Sequence, residues 1–573
     1  MDKWTVARML DEIASYIELS DENKFKARAF ERAARAIETS ETDVVDLAKT
    51  GELYKTAGIG KAIGPIVIEI VQTGGSPYLD DLRKQYPPGV FDLLRVPSMT
   101  LKKVGAVHAA LGISSVEELE EAARDGRIAK LKGFGAKTAE KILTGTEWAR
   151  KNESRFLLPT GLEIGELLRE RLAAIDEVDD ADIAGSVRRR LEVITNVNLV
   201  ISTRKPEHVL EEIGRRGVVD QFQPIDDTTF QGVARGEMNV LFHLTKPEDF
   251  GAAMLRATGS AEFVEAFATK IAADHYELRG NALFHRGKHV AAENEHDLFE
   301  RVGISFVEPE RREDASELAR KKRVKLVQPA DLRGTFHVHT TWSDGRNSVA
   351  EMLAASKERG FEYVGISDHS PNASYAGGLT VDRLREQQKE LAKEEKEVAP
   401  MRVFRGTEAD IMLDGSIDYG PKVLPSFDFV IASVHSRFSM PKDEMTERIL
   451  KALDDPHVTF LGHMTGRKLL SRDGYTFDYD RIFERAGQRA VMIEINGNPN
   501  RLDIDWRLIK RALDRGVIFS INPDAHSIRE LSHVISGAWV ARKAGLSAKE
   551  IFNSLPVEAV SEFFAARRAA RAG

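Results

Sequence analysis

From residue 335 onward, short apolar segments that resemble β-strands alternate with helical segments, and most of them end in His, Asp or Glu. The apolar segments are YVGISD, MRVFRGTE, FDFVIASVH, VTFLGH, AVMIEIN and VIFSINPD. Strands that alternate with helices indicate a βα barrel or a wound sheet. Because the carboxyl ends of barrel strands open on one face, polar residues that follow different strands converge there. The pattern therefore predicts a functional site at one end of a barrel.

Six of the 15 histidines lie at these strand ends, together with three carboxylates. A single histidine after a strand is ordinarily a hydrogen-bonded loop residue, but that explanation is weak for six. Zinc and manganese select imidazole nitrogens and carboxylate oxygens. Strand alternation predicts that His337 and His339 share one face, and Asp368 and Asp410 are expected to orient ligands. The predicted metal ligands are His337, His339, Asp344, His369, Glu408, His435, His463, Asp524 and His526.

This third of the chain resembles the PHP (polymerase and histidinol phosphatase) domain through HVHTTWSDG, DHS, GTEADI, SVHS, GHMTGR and NPDAH. The resemblance implies a distorted seven-stranded βα barrel that holds about three zinc or manganese ions and hydrolyses phosphoesters by attack of metal-bound hydroxide. Arg467 and Arg501 are candidate phosphate contacts. The implied ligand sets are His337, His339, Glu408 and Asp524 for one ion, Asp344, His369 and His526 for a second, and Glu408, His435 and His463 for a third.

Composition limits the partners and the location of the chain. There is no cysteine, so disulfides and thiolate metal ligands are excluded. The sequence has no signal-peptide pattern and no apolar run of membrane-spanning length, which fits a cytoplasmic location without a membrane partner. The formal net charge is -8, so a nucleic acid would have to meet local basic surfaces.

Two glycine turns lie between helical segments in the first 150 residues. Gly58 and Gly60 precede a lysine, and so do Gly133 and Gly135. The turns resemble helix-hairpin-helix elements, in which glycines let backbone N–H groups approach a DNA phosphate without reading the base sequence. At a third such position, in VPSMTLKKVGAVHAALGI, Ser98 and Thr100 replace the usual glycines. That hairpin is expected to keep its fold and to lose its phosphate contact.

The middle region resembles family X DNA polymerases. The run 185–189 (GSVRR) matches the motif that binds nucleotide phosphate in that family, with Gly185, Ser186 and Arg189 as the expected contacts. The family then carries three Asp residues that hold two magnesium ions. Here the three corresponding positions are asparagines: Asn196, Asn198 and Asn239.

The asparagines change the expected chemistry of the middle region. Carboxylates hold magnesium, whereas neutral amides bind it weakly, so no Mg²⁺ is expected here and the polymerase site is expected to be inactive. The adjoining thumb motif, RATGSAEF, also departs from the family pattern, which favours natural loss over an engineered substitution. A retained scaffold that positions DNA is the expected role.

These observations predict a multidomain α+β and α/β protein of the bacterial family X type. Its expected function is DNA repair by a metal-dependent 3′–5′ exonuclease that acts on gapped or 3′-recessed duplexes, with a nucleotide as a further partner. The alternatives are an active gap-filling polymerase, a non-catalytic DNA-binding scaffold and a small-molecule phosphatase. The predicted domains are 1–90 (helical, DNA-binding), 91–152 (helix-hairpin-helix), 153–307 (degenerate palm and thumb), 308–334 (linker) and 335–573 (PHP).

Overall fold

The computed structural model describes residues 3–20, 24–38, 40, 42, 44–56, 58–87, 89–234, 238–320 and 324–572. The chain divides into two compact units. One comprises Met1–Glu153 with Leu470–Arg472, and the other comprises Ser154–Leu469 with Asp473–Gly573. Within the described ranges, no helix has the length and apolar character needed to cross a membrane.

The first unit is helical because its apolar side chains recur at three- and four-residue spacing and face two separate cores. Short 3₁₀ turns at Glu52–Lys55, Val90–Arg95 and Ile128–Lys130 connect some of the helices. The helices are α1 (Lys3–Leu19), α2 (Lys24–Glu38), α3 (Val44–Thr50), α4 (Gly64–Thr73), α5 (Pro77–Gln85), α6 (Leu101–Leu111), α7 (Val116–Arg124) and α8 (Ala136–Lys151).

The second unit begins with a five-stranded sheet covered by helices. The strand order is β2-β4-β7-β6-β5, and only the central pair β4 and β7 is parallel. The elements are β1 (Phe156–Leu157), α9 (Leu158–Ala173), β2 (Asp180–Ala184), α10 (Gly185–Arg188), β3 (Val193–Ile194), β4 (Asn196–Ser202), α11 (Pro206–Arg215), β5 (Asp220–Pro224), β6 (Thr229–Ala234) and β7 (Met238–Thr245).

A smaller subdomain follows, in which helices pack on a three-stranded antiparallel sheet. Its elements are a 3₁₀ turn (Pro247–Asp249), α12 (Phe250–Thr258), α13 (Ala261–Ala272), β8 (Tyr276–Arg279), β9 (Ala282–His285), β10 (Lys288–Val290) and α14 (Glu295–Arg301).

The expected linker, 308–334, packs against its neighbours over the residues that the structure describes. It contains 3₁₀ turns at Pro309–Arg311, Ala315–Ala319 and Pro329–Asp331. Arg312 is fully buried, pairs with Glu295 of α14, and lies over the rings of Phe299 and Phe306. A buried charge of this kind is tolerated only with such a partner, so this part of the segment is a fixed structural element.

The C-terminal region is a seven-stranded parallel sheet whose strands follow one another in chain order. Its strands are almost wholly buried, as is usual for a parallel sheet covered by helices. A bridge between Val338 and Ala525, just beyond the last strand, brings the first and last strands together and nearly closes a barrel. This confirms the predicted fold class. The strands are β11 (Gly334–Val338), β12 (Tyr363–Ile366), β13 (Arg402–Asp410), β14 (Phe429–Ser433), β15 (Val458–Leu461), β16 (Met492–Asn496) and β17 (Phe519–Asn522).

Helices and short turns surround the barrel strands. The 3₁₀ turns are Ser374–Ala376, Leu424–Ser426, Glu530–Ser532, Ala548–Glu550 and Phe552–Ser554. The helices are α15 (Val349–Glu358), α16 (Val381–Glu397), α17 (Lys442–Asp454), α18 (Tyr479–Arg489), α19 (Trp506–Leu513), α20 (His533–Ala544) and α21 (Val557–Ala572).

Aromatic side chains fill the amino-terminal end of the barrel. The ring of Phe336 lies 5.0 Å from the rings of Phe429 and Phe460, and Phe564 of α21 covers the cluster. Gly406 leaves space for it, since a Cβ there would lie 2.2 Å from the Phe429 ring. With this end packed by apolar groups, the polar residues are confined to the carboxyl end.

Candidate metal centre

The structure brings all nine predicted ligands together at the carboxyl end of the barrel. They come from β11, β13 and the turns after β11, β12, β14, β15 and β17. Most of their side chains are buried, and Asp344 and His526 are the most exposed, at 36% and 27%. Their donor atoms form four overlapping groups, each within 4.8 Å: His339, Asp344, His369 and His526; His337, Glu408 and His463; His337, His339 and Asp524; and His369, Glu408 and His435.

Glu408 is the centre of this arrangement. Its carboxylate oxygens lie 3.0–3.6 Å from nitrogens of five histidines. Asp344 forms a second centre nearer the surface, with Oδ1 3.3 Å from His526 Nε2 and 3.6 Å from His369 Nε2. The five imidazoles around Glu408 are those of His337, His339, His369, His435 and His463.

The convergence of His337 and His339 depends on an irregular strand. The register of β11 shifts between Thr335 and Val338, and His337 has a left-handed backbone with φ of 61°. Asp524 also has a positive φ, of 52°. Non-glycine residues in this region store strain that tends to occur at functional sites. Regular alternation of side chains along the strand predicted that His337 and His339 share one face. In the structure they converge through this irregularity in β11.

Several buried polar atoms of the cluster have no hydrogen-bond partner among the residues that the structure describes. They are His337 Nε2, His369 Nδ1, His463 Nδ1, Glu408 Oε1 and both ring nitrogens of His339. Leaving buried donors and acceptors unpaired costs free energy. Divalent metal ions would satisfy these atoms, because nitrogen and carboxylate oxygen are the donors that zinc and manganese select. The residues therefore fit a multi-metal centre.

Two acidic residues next to the ligands, both expected to orient them, make different contacts. Asp410 Oδ1 lies 2.7 Å from His435 Nδ1 and so fixes the orientation of that ring. Asp368 instead accepts hydrogen bonds from the backbone N–H and hydroxyl of Thr340, at 2.8 and 2.7 Å. Asp368 thus holds the turn that leads to Asp344 rather than a histidine ring.

Glu494 belongs to this site, although the sequence analysis did not identify it. It is fully buried in β16, and Oε2 lies 2.6 Å from His337 Nδ1. Glu494 also accepts hydrogen bonds from the backbone N–H of His463, at 3.0 Å, and from the side-chain amides of Asn496 and Asn522. The available signal was a lone carboxylate inside the apolar run AVMIEIN. Glu494 orients two predicted ligands at once.

Replacing Glu494 with glutamine is expected to lower metal affinity by roughly 10- to 100-fold, the usual cost of losing such a supporting contact. Glutamine keeps the volume of the side chain but removes the charge that stabilises His337. Metal titration followed by elemental analysis measures the effect, with the exposed Glu558→Gln as the matched control. Unchanged affinity in Glu494→Gln would mean that the carboxylate is only a packing element.

Neighbouring carboxylates raise the pKa of two predicted ligands. Burial opposes the charged form of His435, but Glu408 and Asp410 outweigh it and raise the pKa to about 9. Burial likewise opposes the charged form of His526, but Asp344 and Asp524 raise its pKa to about 9. In the metal-free chain both rings therefore carry a proton at neutral pH.

Metal uptake is consequently expected to release protons. A metal ion must displace the proton from each imidazole that it binds, so the apparent affinity should rise as pH increases from about 6.5 towards about 9 and then level off. Calorimetric titration with Zn²⁺ or Mn²⁺ in buffers of different ionisation enthalpy counts the protons released. An affinity that is independent of pH over this interval would contradict the assignment.

The two arginines proposed as phosphate contacts have different surroundings. Arg467 donates hydrogen bonds from Nε to the carbonyl of Arg501, at 2.9 Å, and from Nη1 to Asp505, at 2.8 Å. Arg501 lies beside the ligands, with Nε 3.4 Å from Asp524 Oδ2, and its buried Nη1 has no hydrogen-bond partner among the described residues. Arg501 is therefore better placed than Arg467 to bind a phosphate oxygen.

The three asparagines of the middle region lie side by side on the central strands. Asn196 of β4 is paired in register with Asn239 of β7. The amide of Asn198 donates a 2.7 Å hydrogen bond to Asn196 Oδ1, and Asn198 Oδ1 lies 3.0 Å from His243 Nε2. Gly185 has φ of 66°, and a Cβ there would lie 2.5 Å from the Asn198 amide nitrogen. The amides thus form an uncharged cluster beside the glycine turn.

Arg189, the arginine predicted to bind nucleotide phosphate, already has partners within the protein. Arg189 Nε lies 3.0 Å from Glu313 Oε1, and Nη1 donates a 2.6 Å hydrogen bond to the carbonyl of Thr258. Lys543 of α20 pairs with the same Glu313 carboxylate and donates a 3.0 Å hydrogen bond to the carbonyl of Arg189. The arginine therefore connects the sheet to the 308–334 segment and the barrel.

The predicted DNA-contacting glycines lie in turns before helices. Gly58 and Gly133 have positive φ values, of 91° and 87°. Gly60 precedes α4, Gly135 is the N-cap of α8, and neither has atoms near its Cβ position. Both turns thus present an open helix start, where backbone N–H groups favour an anion.

The third turn keeps the backbone shape without glycine. Ser98 adopts φ of 81°, close to the value at Gly58 and Gly133. Thr100 is the N-cap of α6, and its hydroxyl accepts a hydrogen bond from the backbone N–H of Lys103. Because that N–H is already used, the third turn offers fewer donors to a phosphate.

Comparisons with known families agree with this arrangement. Residues 1–76 match a helix-hairpin-helix domain, and residues 90–145 match a SAM-like helix-hairpin-helix tandem. Residues 253–313 match the DNA polymerase beta thumb, and residues 335–498 match the PHP domain.

Individual relatives extend the comparison. The chain is 24% identical over 235 residues to a probable phosphatase of Thermoanaerobacter sp. (strain X514), covering 38% of this chain and 89% of that protein. The DNA polymerase/3′-5′ exonuclease PolX of Bacillus subtilis (strain 168) is 32% identical over 569 residues, covering 98% of this chain and 99% of that protein. With the helix-hairpin-helix, thumb and PHP matches in the same order along the chain, the protein belongs to the PolX family.

Proposed function

We propose that this PolX-family protein is a metal-dependent phosphodiesterase that removes nucleotides from 3′ ends of DNA and does not polymerise. The observation that carries the proposal is the barrel cluster of nine donor residues, several of whose buried nitrogens have no hydrogen-bond partner among the described residues. The name of the Bacillus subtilis relative, which includes a 3′-5′ exonuclease, supports the same activity.

The side chains of the centre have separable tasks. Divalent ions held there would lower the pKa of a water molecule and offset the charge of the phosphate. Glu408 joins the histidines into one cluster, while Asp410 and Glu494 orient the rings of His435 and His337. Arg501 offers its unpaired Nη1 to a phosphate oxygen.

The first unit supplies the contact with DNA in this proposal. The open glycine turns before α4 and α8 would bind backbone phosphates, which positions a duplex without reading its sequence. Lys61 and Lys137, which follow the two turns, are exposed. A gapped or 3′-recessed duplex is the expected substrate form, because it offers both a phosphate backbone and a free 3′ end.

The polymerase half is proposed to be catalytically silent for two reasons. The amides of Asn196, Asn198 and Asn239 supply no negative charge for magnesium. Arg189 is already paired with Glu313, so a nucleotide triphosphate would have to break that contact. The region then acts as a scaffold that carries the barrel.

A nuclease assay tests this function. Wild-type protein with Mn²⁺ or Zn²⁺ is expected to shorten a gapped duplex from its 3′ end, whereas His339→Ala and Asp524→Ala should not, and metal content should fall in both variants. DNA binding with no hydrolysis under either metal would point instead to a non-catalytic scaffold.

A second candidate function is phosphomonoester hydrolysis, because several relatives that match 28–38% of this chain are named as probable phosphatases. Assays on oligonucleotides and on small phosphomonoesters, run with the same preparation, distinguish the two. Faster hydrolysis of the monoesters would favour the phosphatase activity.

A further inference from the structure

Tyr375 presents an exposed aromatic ring beside the metal centre. The residue is 72% exposed and lies in the short 3₁₀ turn Ser374–Ala376. Among the described residues, its side chain has no hydrogen bond and no ring contact. Tyr375 is not one of the nine predicted ligands, and none of the roles assigned so far involves its ring.

Contacts with ligand-bearing segments hold the turn at the barrel mouth. The backbone N–H of Leu379 donates a 2.8 Å hydrogen bond to the carbonyl of His369. The side-chain amide of Asn372 bonds Asp410, and a Cβ at Gly377 would lie 3.4 Å from the carbonyl of Ser343, next to Asp344. The turn is thus fixed between the Asp344 and Asp410 sides of the site.

The electrostatic surroundings agree with this position. Partial desolvation and the negative charges of Glu408, Asp410 and Asp344 raise the pKa of the Tyr375 hydroxyl. The ring therefore lies near enough to these carboxylates to be influenced by their charge.

The depth of the centre restricts what can reach it. The side chains of His337, His339, Glu408 and His463 are at most 2% exposed, and that of Asp524 is 7% exposed. The more exposed Asp344 and His526, at 36% and 27%, lie on the side from which a scissile phosphate would reach these donors. A 3′-terminal nucleotide that reaches the site from this side can stack its base on an aromatic residue there.

We propose that Tyr375 stacks on the base of the 3′-terminal nucleotide, so that the site recognises the terminal base as well as the phosphate. This inference rests on the proposed exonuclease function and adds a residue that contacts the terminal base. In this role Tyr375 contacts the substrate base and contributes to specificity, and it does not bind metal.

The test compares two single-stranded oligonucleotides that differ only at the 3′ end, one with a normal nucleotide and one with an abasic tetrahydrofuran residue. Tyr375→Ala is expected to lower kcat/KM on the normal end by roughly 5- to 100-fold, the usual range for one stacked base. Activity on the abasic end should stay near that of wild type. Tyr375→Phe and the control Ile518→Ala, an exposed residue just before β17 at the opposite end of the barrel, should behave as wild type on both.

The fluorescence of a DNA strand bound to the protein tests directly whether Tyr375 stacks on the terminal base. A 3′-terminal 2-aminopurine is expected to be quenched when metal-free wild-type protein binds the strand, and to be quenched much less by Tyr375→Ala. Equal quenching by both proteins, or an equal loss of activity on normal and abasic ends, would overturn the inference. If wild-type protein cleaved neither oligonucleotide, the proposed nuclease function would fail, while quenching would still decide whether Tyr375 stacks.

Discussion

Glu408→Gln is expected to abolish hydrolysis of 3′-labelled DNA, with a fall in kcat/KM of roughly 10³-fold. The carboxylate is 1% exposed and lies within 3.6 Å of five imidazoles. Removing the charge from such a buried cluster costs about 3–5 kcal/mol, and each 1.4 kcal/mol corresponds to about a tenfold change. Because Glu408 belongs to two of the four donor groups, more than one metal ion should be lost.

The measurement is kcat/KM together with the number of metal ions bound per chain. Glu386→Gln, at an exposed position of α16, is the control for loss of one carboxylate and should leave both values unchanged. Retention of the full metal content and of wild-type activity by Glu408→Gln would show that the carboxylate does not join the ions.

Wild-type protein is expected to extend no DNA primer with Mg²⁺ or Mn²⁺, a deficit of many powers of ten relative to an active polymerase. Changing Asn196, Asn198 and Asn239 together to aspartate should create a Mg²⁺ site in the middle region, because the paired strands already place the three side chains together. The triple alanine variant is the matched control and should bind no Mg²⁺ there.

Magnesium binding is measured by calorimetry in proteins that also carry Glu408→Gln. This substitution reduces the contribution of the barrel site to the heat of magnesium binding. Primer extension is measured in parallel on a gapped duplex. Templated addition by wild-type protein that is lost in Asn198→Ala would contradict the loss of polymerase function. Absence of any new magnesium site in the triple aspartate variant would show that the strand geometry has also changed.

The sequence was informative about the barrel site because the candidate ligands follow successive strands along the chain. Most of the predicted ligands come just after, or near the end of, an apolar run, so convergence of strand ends predicted the cluster in which the structure places them. Glu494 was missed because its role depends on contacts with His337 and with Asn522 of the neighbouring strand. A single acidic residue inside an apolar strand does not reveal those partners.

Ion pairs between residues far apart in the chain could not be predicted from the sequence either. Glu313 and Arg189 are 124 positions apart in the sequence, and nothing in either local segment indicates that one partners the other. The charged composition of 308–334 predicted a linker, but it gave no sign that Arg312 is buried and pairs with Glu295 of α14. Such pairs follow from the folded arrangement of domains and not from periodicity.

Manganese located by anomalous scattering in crystals grown with excess Mn²⁺ is the most direct test of the contrast between the two sites. The expected result is strong scattering between Glu408, Asp344 and their histidines, and none beside Asn196 and Asn239. Empty barrel positions under saturating manganese, or well-occupied ions among the asparagines, would contradict the assignment of metal chemistry to the barrel alone.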